Sequence, residues 1–299
     1  MLFSPYDLLA LGAAVCWAFT SVLSATPSRH LGALAFTRWR MALLVLLLWP
    51  VVWLGERWQG MTASQCAVMA LSGFIGIFVG DTALFAAMNR LGPRRTSVLF
   101  ATHAFFSAVL GFVWLDERLG LQAMLGGLLV MAGVMTAILR GRYKDEAHVL
   151  ETNQGHWGQG VALGLLAALC QATSSLIAKP VMVSGVDPVA ATAVRVSVTF
   201  VAQLLLLWSG YGGARALQPA TPRILLQVGW IGFLGMGLGM GLILLALQHG
   251  TVATVAILSS VSPVLLLPLL WLRLGRAPAP GAWLGAALTV LGTGLVLLR

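Results

Sequence analysis

Charge is what this sequence lacks most. Asp, Glu, Lys and Arg make up 9% of the 299 residues, whereas apolar residues make up 59%, and the mean hydropathy is +0.91. A soluble domain carries roughly 25% charged residues. So few charged side chains cannot cover an apolar chain of this size in water. The composition therefore excludes an ordinary soluble protein and predicts that the lipid bilayer is the solvent.

Motifs of catalysis, metal binding and disulfide bonding are also missing. The 3 cysteines lie in or beside apolar runs and lack the spacing of a metal site or of a disulfide framework. The sequence contains no His-Glu-x-x-His, no Gly-x-Ser-x-Gly and no nucleotide-binding loop. We therefore expect no enzyme activity, no metal and no cofactor. Any transport would have to be driven by a gradient and not by ATP.

What the sequence has in abundance is long uncharged runs, and these predict ten membrane-spanning helices. A span needs about 20 residues, and the polar break at 248–250 divides the longest run, 224–272, into two spans. Residues 34–55 form a further span although Arg38 and Arg40 lie near its start. The predicted helices are 7–26, 34–55, 64–88, 95–114, 120–139, 158–178, 188–209, 224–247, 252–272 and 281–298.

The two halves of the chain resemble each other. Residues 1–140 and 157–299 each contain five predicted helices, and a hydrophilic linker, 141–156, joins them. Matched residues lie 154 to 159 positions apart: Cys16 and Cys170, Thr20 and Ser174, Ser21 and Ser175, Arg38 and Arg195, Gly73 and Gly232, Gly76 and Gly235, Gly80 and Gly239, Gly126 and Gly285, Gly133 and Gly292. Because five is odd, the second copy crosses the membrane in the opposite direction, which is typical of alternating-access transporters. The predicted fold is an all-α integral membrane protein with ten transmembrane helices, arranged as two inverted five-helix repeats around a central cavity.

Lys and Arg are divided unevenly between the two ends of the predicted helices. The odd-numbered connections hold 11 of the 18, whereas the even-numbered connections and the C-terminus hold 4. By the positive-inside rule, the odd-numbered connections are cytoplasmic and both termini are periplasmic. The net charge of +9 therefore reflects topology and not nucleic-acid binding. We expect a multi-pass protein of the bacterial inner (plasma) membrane.

Asp81 is the one acidic residue in the interior of a predicted span. An intramembrane carboxylate is costly and indicates function unless a cation neutralises it. We predict Arg38 as its partner, because both residues lie toward the cytoplasmic ends of neighbouring helices. A structural ion pair and a role in proton coupling or substrate binding both remain open. The repeat counterpart of Asp81 is Met240, so Arg195 has no matching acid. It is either a ligand for a substrate carboxylate or a snorkelling or backbone-bonded side chain.

Polar and aromatic side chains cluster in the middle of predicted helices 1, 4, 6 and 9. Hydroxyl and amide groups at this depth either hydrogen-bond neighbouring helices or line a wet cavity, and their recurrence in repeat-matched helices favours a cavity. The predicted cavity residues are Trp17, Ser21, His103, Phe106, Gln171, Ser175, Arg195 and Ser260. Helices 3 and 8 contain Gly76, Gly80, Gly235 and Gly239, which permit either static close packing or a gating movement.

Several of these features occur together with local motifs. The third helix is glycine-rich and ends in Asn-Arg-Leu-Gly at 89–92, and Trp-Leu-Asp-Glu-Arg-Leu at 114–119 precedes Gly126. In this order they resemble the EamA repeat of the drug/metabolite transporter superfamily, and the size and layout resemble YddG-type amino-acid exporters. The resemblance implies a basket of ten helices with a cavity lined mainly by helices 1, 3, 4, 6, 8 and 9. The sequence departs from the family where Phe105 and Phe106 replace the usual proline of the fourth helix.

The function predicted from the sequence is export of small metabolites, with amino acids, aromatic ones among them, as the expected substrates. Export would proceed by alternating access without ATP. The alternatives are transport of another small solute (a drug, an organic cation or a sugar derivative), a channel, or an intramembrane enzyme. Tyr6-Asp7 and Gly80-Asp81 faintly resemble aspartyl intramembrane proteases, but Asp7 precedes the uncharged run 8–28 of its helix. The expected partners are the solute and the bilayer, with no nucleic acid, and the protein is expected to be a monomer.

The charge distribution generates a test of orientation. Alkaline phosphatase fused after Arg299 should be active and green fluorescent protein fused there should be dark, because the 11-to-4 asymmetry puts the C-terminus in the periplasm. Fusions within 141–156 serve as the control and should give the reverse pattern. A fluorescent C-terminal fusion would overturn the predicted topology.

Overall fold

The helices occur where the sequence predicts them. The computed structural model describes residues 5–139, 157–274 and 280–297, so the linker 141–156 lies outside the described residues. The described residues form ten helices: α1 Pro5–Leu31, α2 Ala33–Leu54, α3 Ala63–Leu91, α4 Pro93–Ala101 with His103–Leu115, α5 Leu121–Leu139, α6 Trp157–Val183, α7 Pro188–Trp208, α8 Pro222–His249, α9 Val252–Ser259 with Ser262–Leu274, and α10 Pro280–Leu297. Eight are long and apolar enough to cross a membrane, and α5 and α9 contain shorter apolar stretches. The predicted all-α membrane architecture is confirmed.

Local sequence signals set the helix boundaries. At the start of α3 the Thr62 hydroxyl accepts from the Gln65 amide (3.2 Å), while the Gln65 side chain accepts from the Thr62 amide (2.8 Å), forming a capping box. The Asp187 carboxylate caps α7 by accepting from the amides of the second and third residues of that helix (2.8 and 3.1 Å). Gly32 and Gly92 both have φ of +82°, which lets α1 and α3 turn directly into the next helix.

Close contacts between α5 and α10 show that the two halves are inverted. A β-carbon placed on Gly126 would lie 2.8 Å from the Gly292 carbonyl oxygen, and one on Gly133 would lie 2.7 Å from the Gly285 carbonyl oxygen. Residue numbers rise along α5 as they fall along α10, so the two helices are antiparallel. Each glycine contacts the repeat counterpart of the other, as a two-fold axis in the membrane plane requires.

The same symmetry relates an arginine in α2 to one in α7. A β-carbon on Gly73 would lie 2.6 Å from Arg195 Cα, and one on the counterpart Gly232 would lie 3.0 Å from Arg40 Cγ. Arg40 and Arg195 also occupy the same position in their helices, each seven residues after the first residue. Arg40, and not Arg38, is therefore the counterpart of Arg195. The match made from the sequence is wrong by two positions because it aligned residue types without the helix starts.

Two glycine-rich segments inside long helices are π-helical. They are Phe74–Asp81 in α3 and Phe233–Gly239 in α8, at equivalent places in the two repeats. Segment Phe74–Asp81 packs on α6 of the second repeat, and Phe233–Gly239 packs on α1 of the first. A π-helical segment changes the backbone bonding pattern and often occurs at functional sites.

Hydrogen bonds between connections define two ends of the bundle. We name the end formed by residues 32, 92 and 209–221 the arginine-rich end; there His30 Nε2 lies 2.9 Å from the Pro219 carbonyl oxygen, and the Leu217 amide donates to the Leu31 carbonyl at 3.1 Å. The opposite, arginine-poor end is formed by residues 55–62, 116–120, 184–187 and 250–251.

The arginine-poor end joins the two repeats directly. Gln65 of the first repeat donates to the Ser184 hydroxyl of the second (2.9 Å), and Arg57 pairs with Asp187 (3.0 Å). The Glu117 carboxylate accepts from the amide of Val252 (2.9 Å). Each of these bonds connects a residue of the first repeat to one of the second, so all of them would have to break if the repeats separated at this end.

Glycine packing between α5 and α10 generates a stability prediction. Gly292→Ala should lower the melting temperature in detergent, because its β-carbon would lie 2.6 Å from the Gly126 carbonyl oxygen and overpacking costs about 1–3 kcal/mol. Gly294→Ala is the matched control, since nothing lies within 4 Å of a β-carbon there. Equal melting temperatures for the two variants would contradict the close helix contact.

Candidate functional site

A cavity lies between the two repeats. Its empty volume, including its opening, is about 780 Å³, and it is lined by residues of α1, α2, α3, α4, α6, α8 and α9. Five of the eight predicted cavity residues line it: Trp17, Ser21, His103, Gln171 and Ser260. Phe106, Ser175 and Arg195 are not among the lining residues. The wall includes α2 because Arg40 reaches it, whereas the sequence-based expectation named only the other six helices.

Trp17 joins the cavity wall to the π-helical segment of α8. Its indole Nε1 donates to the Gly235 carbonyl oxygen at 3.1 Å, and the same carbonyl accepts from the amide five residues later, that of Met240. The Trp17 ring also lies 6.3 Å from the Phe100 ring in an edge-to-face arrangement, a geometry that aromatic pairs favour. The indole is therefore fixed in position as an aromatic surface of the cavity.

His103 and Gln171 are polar side chains that lie in the wall without a bound partner. Their residues are 2% and 6% exposed, and both line the cavity. Among the described residues, neither side chain has a hydrogen-bond partner. The centroid of the His103 ring lies 5.1 Å from that of the Phe100 ring. Buried polar groups are almost always satisfied by protein, water or ligand. The two side chains can therefore bind a polar solute or water in the cavity.

Asp81 and Arg40 form an ion pair in the cavity wall. Arg40 Nη2 donates to Asp81 Oδ2, and the two side chains are 4% and 9% exposed. The Arg40 guanidinium carbon also lies 4.8 Å from the centroid of the Phe85 ring, close enough for a cation–π contact. Both charged groups line the cavity, so the wall presents one positive and one negative group side by side.

The partner predicted for Asp81 is wrong. Arg38 Nη1 instead donates to the Ala214 carbonyl oxygen at 2.6 Å. Residues two apart on an α-helix point about 200° apart, so only one of Arg38 and Arg40 can face α3. The sequence places both arginines at a suitable depth but does not show which one faces Asp81.

Arg195 lies in the contact between α3 and the second repeat. It is 1% exposed, and its Nη2 donates to Ser174 Oγ at 2.7 Å. Ser174 Oγ in turn donates to the Ser72 carbonyl oxygen at 2.9 Å. While α3 keeps this position, Arg195 does not reach the cavity, and the predicted contact with a substrate carboxylate stays a prediction.

The cavity extends toward one end of the bundle only. Its lining includes Ser24, Met88 and Ser97, which lie toward the arginine-rich end. Their counterparts in the second repeat are Ala178, Leu247 and Ala256, which are 0%, 0% and 6% exposed and belong to the main apolar cluster. Ser24 and Met88 are themselves only 1% and 6% exposed, and Ser97 is partly exposed, so the difference is that this layer borders the cavity in the first repeat and not in the second.

All four predicted gating glycines lie where helices of different repeats cross. Gly76 and Gly80 face Ser174 and Cys170 of α6, and Gly235 and Gly239 face Thr20 and Cys16 of α1. A β-carbon on any of the four would lie within 3.3 Å of a neighbouring atom. The glycines thus permit close packing, and their position alone does not separate packing from gating.

Sequence reasoning missed several residues of the wall. It did not single out Phe85, Met88 or Ser97, because a hydroxyl or an apolar side chain near a helix end has no distinctive pattern. The role of Arg40 was also missed. Counting from the predicted helix starts, 34 and 188, would have placed Arg40 one position from the counterpart of Arg195, closer than Arg38.

The chain is similar to known proteins in sequence and in fold. A sequence model of the EamA-like transporter family matches residues 4–139 and 158–298. Of the solved structures, 25 chains match; one is a protein crystal structure with a TM-score of 0.74 and 16% identity over 99% of this chain and 97% of its own. This likeness shows the fold alone. No curated protein sequence matches the chain.

The ion pair generates a double-mutant prediction. Arg40→Gln or Asp81→Asn alone should destabilise the protein by about 3–5 kcal/mol, because each leaves a buried charge unpaired. The double variant should lose less than the sum of the two, as expected for residues in contact. Arg38→Gln is the control and should add independently to Asp81→Asn. Coupling of Asp81 to Arg38 and not to Arg40, measured by denaturation in detergent, would contradict the assignment.

Proposed function

Because the chain belongs to the EamA-like transporter family, and is therefore a membrane transporter of small solutes and not an enzyme, we propose that it exports amino acids by alternating access without ATP. The direction, the substrate class and the location in a bacterial inner membrane with periplasmic termini are parts of this proposal. The two family matches, one for each half of the chain, support a carrier in which two repeats exchange roles.

The observation that carries the amino-acid assignment is the charge pair in the cavity wall. Arg40 and Asp81 both line the cavity, so the wall has one site for a carboxylate and one for an ammonium group. A free amino acid carries both groups next to each other. A solute with a single charge would match only half of this pair and would leave the other half unpaired, which costs free energy in a desolvated site.

The rest of the wall supports an amphipathic solute. Trp17, Phe85 and Phe100 provide aromatic surface, while the hydroxyls of Ser21 and Ser260 are bonded within their own helices, to the carbonyl oxygens of Trp17 (2.8 Å) and Ile257 (2.7 Å). Binding sites of this kind combine apolar walls with a few placed polar groups. Unbonded His103 and Gln171 are the polar groups available to a solute. This combination favours amino acids with apolar or aromatic side chains.

The open end supports the direction of transport. The cavity extends toward the arginine-rich end, which the positive-inside rule assigns to the cytoplasm. In this conformation a cytoplasmic solute would enter, and closure at Ser24, Met88 and Ser97 with opening at Ala178, Leu247 and Ala256 would release it outside. The cavity is complete within a single chain, which supports a monomeric transporter.

Counterflow in proteoliposomes tests the substrate class. Liposomes with purified protein and loaded with an unlabelled aromatic amino acid should accumulate the labelled form, whereas loading with a sugar or an organic cation should not. A carrier shows counterflow and a channel does not, so the same assay separates these classes. Counterflow with organic cations or sugars and none with amino acids would overturn the amino-acid assignment and favour transport of another small solute.

Two cavity substitutions test the site. Trp17→Ala and Gln171→Ala should lower the initial rate of counterflow by about three- to tenfold, because each removes a contact comparable to a net hydrogen bond of about 0.5–1.5 kcal/mol. Trp208→Ala and Gln227→Ala are matched controls at exposed positions and should transport normally. The amount of folded protein is measured by gel filtration. Wild-type rates for both cavity variants would exclude these residues from the site.

A further inference from the structure

The two helix crossings related by the repeat are not equally tight. A β-carbon on Gly76 would lie 2.6 Å from Ser174 Cβ, whereas one on the counterpart Gly235 would lie 3.6 Å from Thr20 Cβ. One turn further, a β-carbon on Gly80 would lie 2.9 Å from Cys170 Cβ, and the counterpart distance, from Gly239 to Cys16 Cβ, is 3.2 Å. Because the same atoms are compared, the α3–α6 crossing is closer than the α1–α8 crossing.

The arginines at the two crossings also differ in their partners. At the tight crossing, Arg195 Nη2 donates to Ser174 Oγ at 2.7 Å. At the loose crossing, the counterpart of Ser174 is Thr20, whose hydroxyl donates to the Trp17 carbonyl of its own helix at 3.1 Å. Arg40 is bound to Asp81 instead. The two arginines therefore occupy equivalent positions but adopt two different bonding arrangements.

The acid that produces this difference occurs in only one repeat. Asp81 ends the π-helical segment of α3, and its counterpart in α8 is Met240, which also lines the cavity and is 2% exposed. If the transporter changes state by exchanging the conformations of its repeats, Arg195 would leave Ser174 and face Met240. Arg40 would then move to Thr20. In that state α8 would offer Arg195 no carboxylate at the position equivalent to Asp81.

We propose that Arg40 and Asp81 form a one-sided latch: their ion pair exists only while the cavity is open toward the arginine-rich end, and it sets which state the empty transporter occupies. The inference rests on the alternating access of the proposed function. Both arginines have spare donors for a second arrangement, since in the described part of the chain Nε of Arg40 and Nε of Arg195 have no partner. A ligand that shifts the transporter to the other state must offset the lost ion pair.

The latch predicts opposite accessibility changes at two matched positions. Ser97 lines the cavity and is partly exposed, whereas its counterpart Ala256 is 6% exposed. In a background with Cys16, Cys66 and Cys170 replaced by alanine, Ser97→Cys and Ala256→Cys are labelled separately with a maleimide in detergent. Asp81→Met should slow labelling at 97 and speed it at 256, changing the ratio of the two rates by about tenfold, which corresponds to about 1.4 kcal/mol.

Met240→Asp tests the same latch without removing the ion pair. It gives Arg195 an acid in the opposite state, so it should also shift labelling from 97 toward 256. The exchange Asp81→Met with Met240→Asp should shift it furthest. Met236→Asp is the matched control, because it adds an acid to the cavity wall four residues away. It should not reproduce the shift.

The latch would be overturned if the labelling rates at both positions changed in the same direction, or if Met240→Asp changed neither rate. If Asp81→Met alone failed to fold, the Met240→Asp result would decide. The labelling assay needs no substrate. Counterflow without a labelling shift would therefore retain the proposed transport function and remove the latch. A labelling shift without amino-acid counterflow would retain the latch and remove the substrate assignment.

Discussion

Helices in lipid gain little from burying apolar side chains against one another, because lipid tails are equally apolar, so the fold depends on contacts between backbones. In this protein such contacts occur at glycines. Gly126 and Gly292 bring α5 and α10 together, and Gly76 and Gly235 bring each π-helical segment against a helix of the other repeat. At these crossings the repeats therefore meet through surfaces without side chains, which can fit closely in more than one arrangement.

Polar interactions determine which arrangement is adopted. A buried ion pair contributes little net stability, because the cost of removing two charges from water offsets their attraction, but breaking it is expensive. The pair of Arg40 with Asp81 and the bonds of Arg195, Ser174 and Ser72 therefore act as determinants of register between helices. They lie at the same two glycine crossings, so packing and electrostatics favour the same positions for the helices.

Much of the fold could be predicted from the sequence, because long uncharged runs have few alternatives in a bilayer. The ten helices and the inverted relation of the repeats followed from run length and from the odd number of spans. Side-chain direction could not be predicted as well. A shift of two residues separates Arg38 from Arg40 and decides which one meets Asp81. For the same reason Trp17 and Gln171 line the cavity, while Phe106 and Ser175, chosen on equal grounds, do not. The sequence repeat also implies symmetry, whereas the cavity is open at one end only.

The closed half of the molecule has a consequence for the energy of the cell. Ala178, Leu247 and Ala256 belong to the main apolar cluster, whereas their counterparts Ser24, Met88 and Ser97 border the cavity. Apolar constrictions keep water out by dewetting, and protons cross a membrane protein along chains of water or titratable groups. Among the described residues, the one titratable side chain bonded into this layer is Lys179, whose Nζ donates to the carbonyl oxygens of Leu247 and Gly250 (both 2.7 Å), and a fixed positive charge in a constriction repels protons and other cations. A carrier that rests with this layer closed would keep the membrane insulated, so that the electrochemical gradient is conserved while no solute is bound.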